Sequence, residues 1–140
     1  RAGAAVSAMK CGLLPLSQHA GLIMPTVCIH PYQDVTTAED ECEALAKDIG
    51  ENFAMIMENH GLLACGRSIG ECFYYLYYLE TACKIQVDVL ASGQEPLLLS
   101  EKIVDGLFTD GDVPKNEPSG ADDWKPQLRW VDRNMPGYRD

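Results

Sequence analysis

Apolar residues recur at three- and four-residue spacing from Ile69 to Leu90, the most regular stretch of the chain. Ile69, Cys72, Phe73, Leu76, Leu79, Cys83, Val87 and Leu90 fall on one stripe, which predicts an amphipathic helix roughly 32 Å long. Ser68 followed by Glu71 has capping-box spacing and starts it. Ser92-Gly93-Gln94 ends it. Tyr74, Tyr75, Tyr77 and Tyr78 widen the apolar surface to nearly the whole circumference. Such a helix must meet more than one element. Either a subunit interface covers the excess, or the tyrosines lie along the surface with their hydroxyls in water. The crowding in so short a chain favours the interface.

Shorter patterns flank this helix. Residues 2–10 predict a helix of small residues that ends at Gly12, and Ser17 starts a brief helical turn that Gly21 stops. Residues 26–30, between two prolines, read as a strand that ends in His30. Thr36 with Glu39, or Thr37 with Asp40, caps a helix running to about Ile49, with Cys42, Leu45, Ala46 and Ile49 on one face. Residues 53–57 are nearly all apolar, which predicts a strand covered on both faces. A turn, Glu58-Asn59-His60-Gly61, joins it to a second strand over 62–65, forming a hairpin. Leu97-Leu98-Leu99 is a strand or an apolar loop, and residues 100–108 predict a short helix. The expected organisation is one domain over 1–108, a linker over 109–123, and a docking tail over 124–140 that belongs to the same domain. Trp124, Leu128 and Val131 are helically spaced in that tail.

Length and charge narrow the class. The 140 residues allow one domain. Eleven basic against 21 acidic residues give a net charge of −10, which disfavours nucleic acid or an anionic membrane as partner. No apolar run is long enough to cross a membrane, so no membrane insertion is expected, and a cytoplasmic location goes with free cysteines in a reducing compartment. The six cysteines contain no Cys-x-x-Cys pair, and Cys72 and Cys83 lie three turns apart on one helix. Free, buried thiols are the expectation. The chain begins with Arg1 rather than Met, so processing or truncation upstream is expected.

Candidate chemistry is sparse. His60 follows a buried strand beside Asn59, and Glu58 lies two positions before it. On a strand that spacing would put Glu58 and His60 on one face. His30 also ends a strand. His19 has no nearby partner. The three histidines have no metal-motif spacing, and the acidic run Glu39, Asp40, Glu41, Glu43 reads as a solvated helix start.

Several stretches together resemble the class II aldolase/adducin family. They are Ala5-Val6-Ser7-Ala8 with Gly12-Leu13-Leu14-Pro15-Leu16-Ser17-Gln18, then His30-Pro31-Tyr32, then Met57-Glu58-Asn59-His60-Gly61-Leu62-Leu63. Gly66 with Gly70-Glu71-Cys72-Phe73-Tyr74 and the segment 78–86 continue the match, and the tail 128–140 resembles the ends of bacterial or fungal members. The resemblance implies a three-layer α/β/α fold around a mixed, mostly antiparallel sheet, incomplete in this chain. It implies zinc or another divalent metal held by three histidines, of which His60 is the third. The first two, in a His-x-His motif, and the catalytic Glu would precede Arg1. No catalytic residue is therefore expected among these 140, and no metal is expected to bind this chain tightly by itself. Asn59, Glu58 and His30 are weak candidates for lining the site.

Two functions follow from the resemblance. One is the C-terminal portion of a metal-dependent lyase acting on a small sugar phosphate or related carbonyl compound, inactive as an isolated fragment. The other is a noncatalytic, adducin-like oligomerisation or scaffold domain, the only reading that brings in the actin cytoskeleton. Both imply a homo-oligomer, commonly a tetramer in this family.

Overall fold

The computed structural model describes residues 1–33, 38–109 and 120–139. Three short strands form a sheet in the order β1 (Val27–His30), β2 (Ala54–Met57), β3 (Gly61–Ala64). β1 and β2 are parallel, with Val27 opposite Ala54 and His30 opposite Met57. β2 and β3 form the expected hairpin, antiparallel, with Met57 opposite Gly61. The sheet is mixed, one pair of each kind.

Side chains alternate across a sheet, so the register sorts them into two layers. Ala54 and Ile56 of β2 face one way, with Val27, Leu62 and Ala64 as neighbours. This face packs on helices α1 (Ala2–Ser7) and α4 (Ile69–Ala91), and the core gathers there around Val6, Ile23, Tyr75, Leu79 and Cys83. Met55 faces the other way with Cys28 and His30. Helix α3 (Ala38–Ile49) covers that side, and Asp48 on it bonds to His30. The result is helix, sheet, helix, an α/β fold. Ala54, Met55 and Ile56 are all buried, which explains why β2 is apolar on both faces.

Helix α2 (Gln18–Ile23) is capped by the Ser17 hydroxyl, which accepts from the Ala20 N–H at 3.2 Å. It runs through Gly21 rather than stopping there. Gly21 serves close approach instead: a Cβ on it would lie 2.6 Å from Leu107 of α5 (Glu101–Thr109). Helix α1 ends at Ser7, three residues earlier than expected, and the chain turns at Gly12 with φ of +60°. Helix α3 turns a different face inward. Cys42 and Ala46 are exposed, while Ala44, Leu45, Asp48 and Ile49 are half-buried. Its expected capping threonines, Thr36 and Thr37, lie outside the described residues. Leu97–Leu99 is a loop, pinned where the Leu99 N–H donates to the Pro15 carbonyl at 2.8 Å.

The long helix has the expected extent, and the Ser68 hydroxyl accepts from the Glu71 N–H at 3.2 Å. Its buried line is not the expected stripe. Ile69 is 74% exposed and Leu76 45%, whereas Glu71, Tyr75, Leu79, Ala82, Cys83 and Gln86 are buried. Most of the expected linker, 110–119, lies outside the described residues, and helix α6 (Ala121–Asn134) begins within its last three positions. Trp124 of α6 lies against Phe73, ring centroids 5.3 Å apart, and over Gly70 of α4. The six cysteines are free, but only Cys83 is fully buried, and Cys11 and Cys42 are exposed. Burial pushes the Cys83 thiol up to about 12, so it stays protonated. No helix among the described residues is long and apolar enough to cross a membrane.

Candidate functional site

Because β1 and β2 run parallel, their C-terminal ends share one edge of the sheet. Open α/β sheets bind ligands at that edge. His30 ends β1, and the turn Glu58-Asn59-His60 leaves β2. The Glu58 N–H donates to the His30 carbonyl at 2.9 Å, which extends the ladder one residue past the strand.

The turn is tight. Three residues link Met57 to Gly61, which are paired across the hairpin. Asn59 adopts φ of +54°, the left-handed region that Asn tolerates better than most residues. Its N–H donates to the Ser7 carbonyl at the end of α1, 3.0 Å away. Gly3 at the other end of α1 has no room for a Cβ, because Leu62 fills the space. Both ends of α1 are thus seated on the segment 59–62. Glu58, Asn59 and His60 are all exposed. Glu58 and His60 belong to the turn, so the strand alternation expected to align them does not operate. The His60 imidazole has no hydrogen-bond partner among the described residues, which leaves both ring nitrogens open.

His30 is placed differently. Its side chain is 7% exposed, and its Nδ1 lies 2.7 Å from Asp48 Oδ2 on α3. His19 packs its ring on Tyr78, centroids 5.7 Å apart. Among the described residues no three His, Cys, Asp or Glu side chains stand together in a set able to hold a metal ion. His60 has both ring nitrogens open, and the described residues do not complete a metal centre.

Sequence reasoning missed three polar contacts made by α4, two to the segment 1–14 and one at the start of α4 itself. Glu80 of α4 accepts from the Ala2 and Gly3 N–H groups at 3.2 and 2.8 Å, capping α1. Gln86, fully buried, accepts from the Leu14 N–H at 2.7 Å and donates to the Gly12 carbonyl at 2.8 Å. Glu71, also fully buried, accepts from the Arg67 N–H at 2.6 Å and from the Arg67 guanidinium at 2.8 and 3.2 Å. Gln86 left a signal, a polar residue three positions after Cys83 on a core spacing.

Comparison with known proteins agrees with this geometry. Residues 1–87 match the family model described as Class II Aldolase and Adducin N-terminal domain. A putative aldolase class 2 protein of Caulobacter vibrioides is 34% identical over 138 residues, covering 99% of this chain and 54% of the relative. Alpha-adducin of Rattus norvegicus is 47% identical over 96 residues, 68% of this chain and 13% of the adducin. Among solved structures, an aldolase II superfamily protein from Pseudomonas syringae superposes with a TM-score of 0.88 at 35% identity, covering all of this chain and 56% of the other. An L-fuculose 1-phosphate aldolase from Glaciozyma antarctica shares the fold, with a TM-score of 0.75 at 20% identity over 95% of this chain and 49% of the other. The chain spans about half the length of the bacterial relatives it matches. On the family match and the similarity to its aldolase-type relatives, the chain belongs to the class II aldolase and adducin family.

Proposed function

We propose that the chain is the later part of a metal-dependent, class II aldolase-like lyase that acts on a small sugar phosphate or related carbonyl compound. The observation that carries this reading is the placement of His60. Its imidazole stands exposed and unpartnered on a left-handed turn, at the strand ends where α/β sheets receive ligands, and that turn is bonded to α1. An imidazole with a purely structural role would be expected to have a hydrogen-bond partner. In this reading His60 supplies one ligand to zinc or another divalent ion, with the remaining ligands and the carboxylate that moves the proton coming from segments before Arg1. Three protein ligands are needed for a catalytic zinc site. The isolated chain then binds no metal tightly and is inactive. The parent works in the cytoplasm as a homo-oligomer.

Metal analysis of the full-length parent tests this. Stoichiometric metal in the parent, lost in His60→Ala, is the expected result. A parent without metal, or with the same metal content after substitution, overturns it.

One observation favours a second reading. Identity to alpha-adducin, 47%, exceeds that to the aldolase-type relatives, although over fewer residues. A noncatalytic scaffold domain with actin-cytoskeletal partners follows from it. A metal-free parent that still assembles would support that reading.

A further inference from the structure

The pair formed by His30 and Asp48 is not required by the packing of apolar side chains, and its geometry is that of an oriented imidazole. An ionised carboxylate only accepts hydrogen bonds, so at 2.7 Å the Nδ1 of His30 must carry the proton. The neutral ring is then held as the Nδ1–H tautomer, with the lone pair on Nε2. That nitrogen has no hydrogen-bond partner among the described residues. Yet no buried side-chain nitrogen or oxygen among them lacks a partner. Nε2 is therefore not sealed from the surface, although the side chain as a whole is only 7% exposed. A carboxylate behind an imidazole that opens through its far nitrogen is the arrangement by which proteins fix a histidine for contact with a ligand.

The place is as telling as the geometry. His30 sits opposite Met57, and its carbonyl takes the N–H of Glu58, the first residue of the turn that carries His60. Two strand spacings, about 10 Å, separate β1 from β3, where that turn ends. A small molecule bound at His60 along this edge would extend toward His30.

We propose that His30 is a ligand-contacting residue of this edge, its Nε2 accepting a hydrogen bond from a hydroxyl of the bound small molecule, and that Asp48 is the positioning residue that sets the tautomer. The inference rests on the aldolase-like reading above and names a second contact for the same ligand. It requires no proton transfer.

The test uses the full-length parent with dihydroxyacetone phosphate as probe and inorganic phosphate as a control that lacks a carbon-bound hydroxyl. Nitrogen-15 spectra of the histidine-labelled protein should show His30 as the Nδ1–H tautomer. Its Nε2 resonance should shift with dihydroxyacetone phosphate and not with phosphate. His30→Gln should weaken the probe roughly three- to tenfold, the loss of one hydrogen bond. Asp48→Asn, which keeps a side chain of the same shape but offers the ring a donor as well as an acceptor, should shift the tautomer and weaken the probe in the same range. It remains informative if His30→Gln fails to fold. Unchanged affinity in both variants, with the probe still lost in His60→Ala, overturns the role of His30 and leaves the aldolase-like reading standing. No binding to the wild-type parent overturns both.

Discussion

Glu80 reaches from the middle of α4 to the first turn of α1, where two backbone N–H groups have no helical partner of their own. Partial burial pushes its carboxyl up, but the hydrogen bonds from the Gly3 and Ala2 N–H groups favour the charged form, and the carboxyl lies below the usual range. A carboxyl held down in the folded state adds stability above its unfolded pKa and loses it as pH falls through the folded value. Glu80→Gln should therefore cost about 1 kcal/mol at pH 7. The gap between variant and wild type should close as pH drops below about 4. Urea unfolding at several pH values measures this, and a gap independent of pH would contradict it. This contact was not legible in the sequence, because a Glu on a long helix reads as solvent-facing unless its distant partner is known. Gln86 was half legible: its spacing placed it among core positions, but the loop carbonyl and N–H it satisfies are more than 70 residues away. His60 was legible through the Asn-His-Gly turn, while the Asp48 partner of His30 was not, since α3 presents it on a face the apolar spacing did not select.

At the scale of elements, strands β1, β2 and β3 and the long helix could be read because their signals are local. β2 is apolar throughout, the hairpin turn contains Asn and Gly, and α4 has both a cap and a sustained period. One glycine misled. Gly21 reads as a stop but serves the approach of α5, and Gly70 serves the approach of α6 near the start of α4. A Cβ on Gly70 would stand 2.9 Å from the Trp124 Cβ and 3.0 Å from its Cγ, inside ordinary contact. Gly70→Ala should lift α6 from α4. Alanine adds up to about 1 kcal/mol of helix propensity, but overpacking at a tight contact costs about 1–3 kcal/mol, so the balance is unfavourable. The expected result is red-shifted tryptophan emission and faster hydrogen exchange over 121–134. Gly106→Ala, where nothing lies within 4 Å of the new Cβ, should leave the emission as it is. An unshifted emission in Gly70→Ala would mean that α6 adjusts without loss.

For the whole molecule, the difference between the expected and observed faces of α4 decides what the tyrosines are for. The buried line runs through Glu71, Tyr75, Leu79, Ala82, Cys83 and Gln86, toward α1 and the sheet. Tyr75 is buried and stacks on Phe53 at 4.8 Å, and Tyr74 packs half-buried against the core, where burial raises its hydroxyl to about 12. That leaves Ile69, Leu76 and Tyr77, at 74%, 45% and 53% exposure, on an outer line flanked by Phe73 and Trp124. A tyrosine alone can lie at a surface with its hydroxyl in water, but Ile69 and Leu76 have no polar tip to offer. A surface interface that places them against a second copy removes them from water, at roughly 25 cal/mol for each Å² covered. Sedimentation velocity on the full-length parent should therefore show an oligomer. Leu76→Glu combined with Tyr77→Glu should shift it toward monomer. Both side chains are half outside the fold, so the unfolding midpoint measured on the monomer should move little. A wild-type parent that sediments as a monomer at tens of micromolar would instead make the outer line an exposed surface with the tyrosine ring lying flat on it. An oligomer that survives both substitutions would place the contact elsewhere, with the outer edges of β1 and β3, which pair with no strand among the described residues, the next surfaces to substitute.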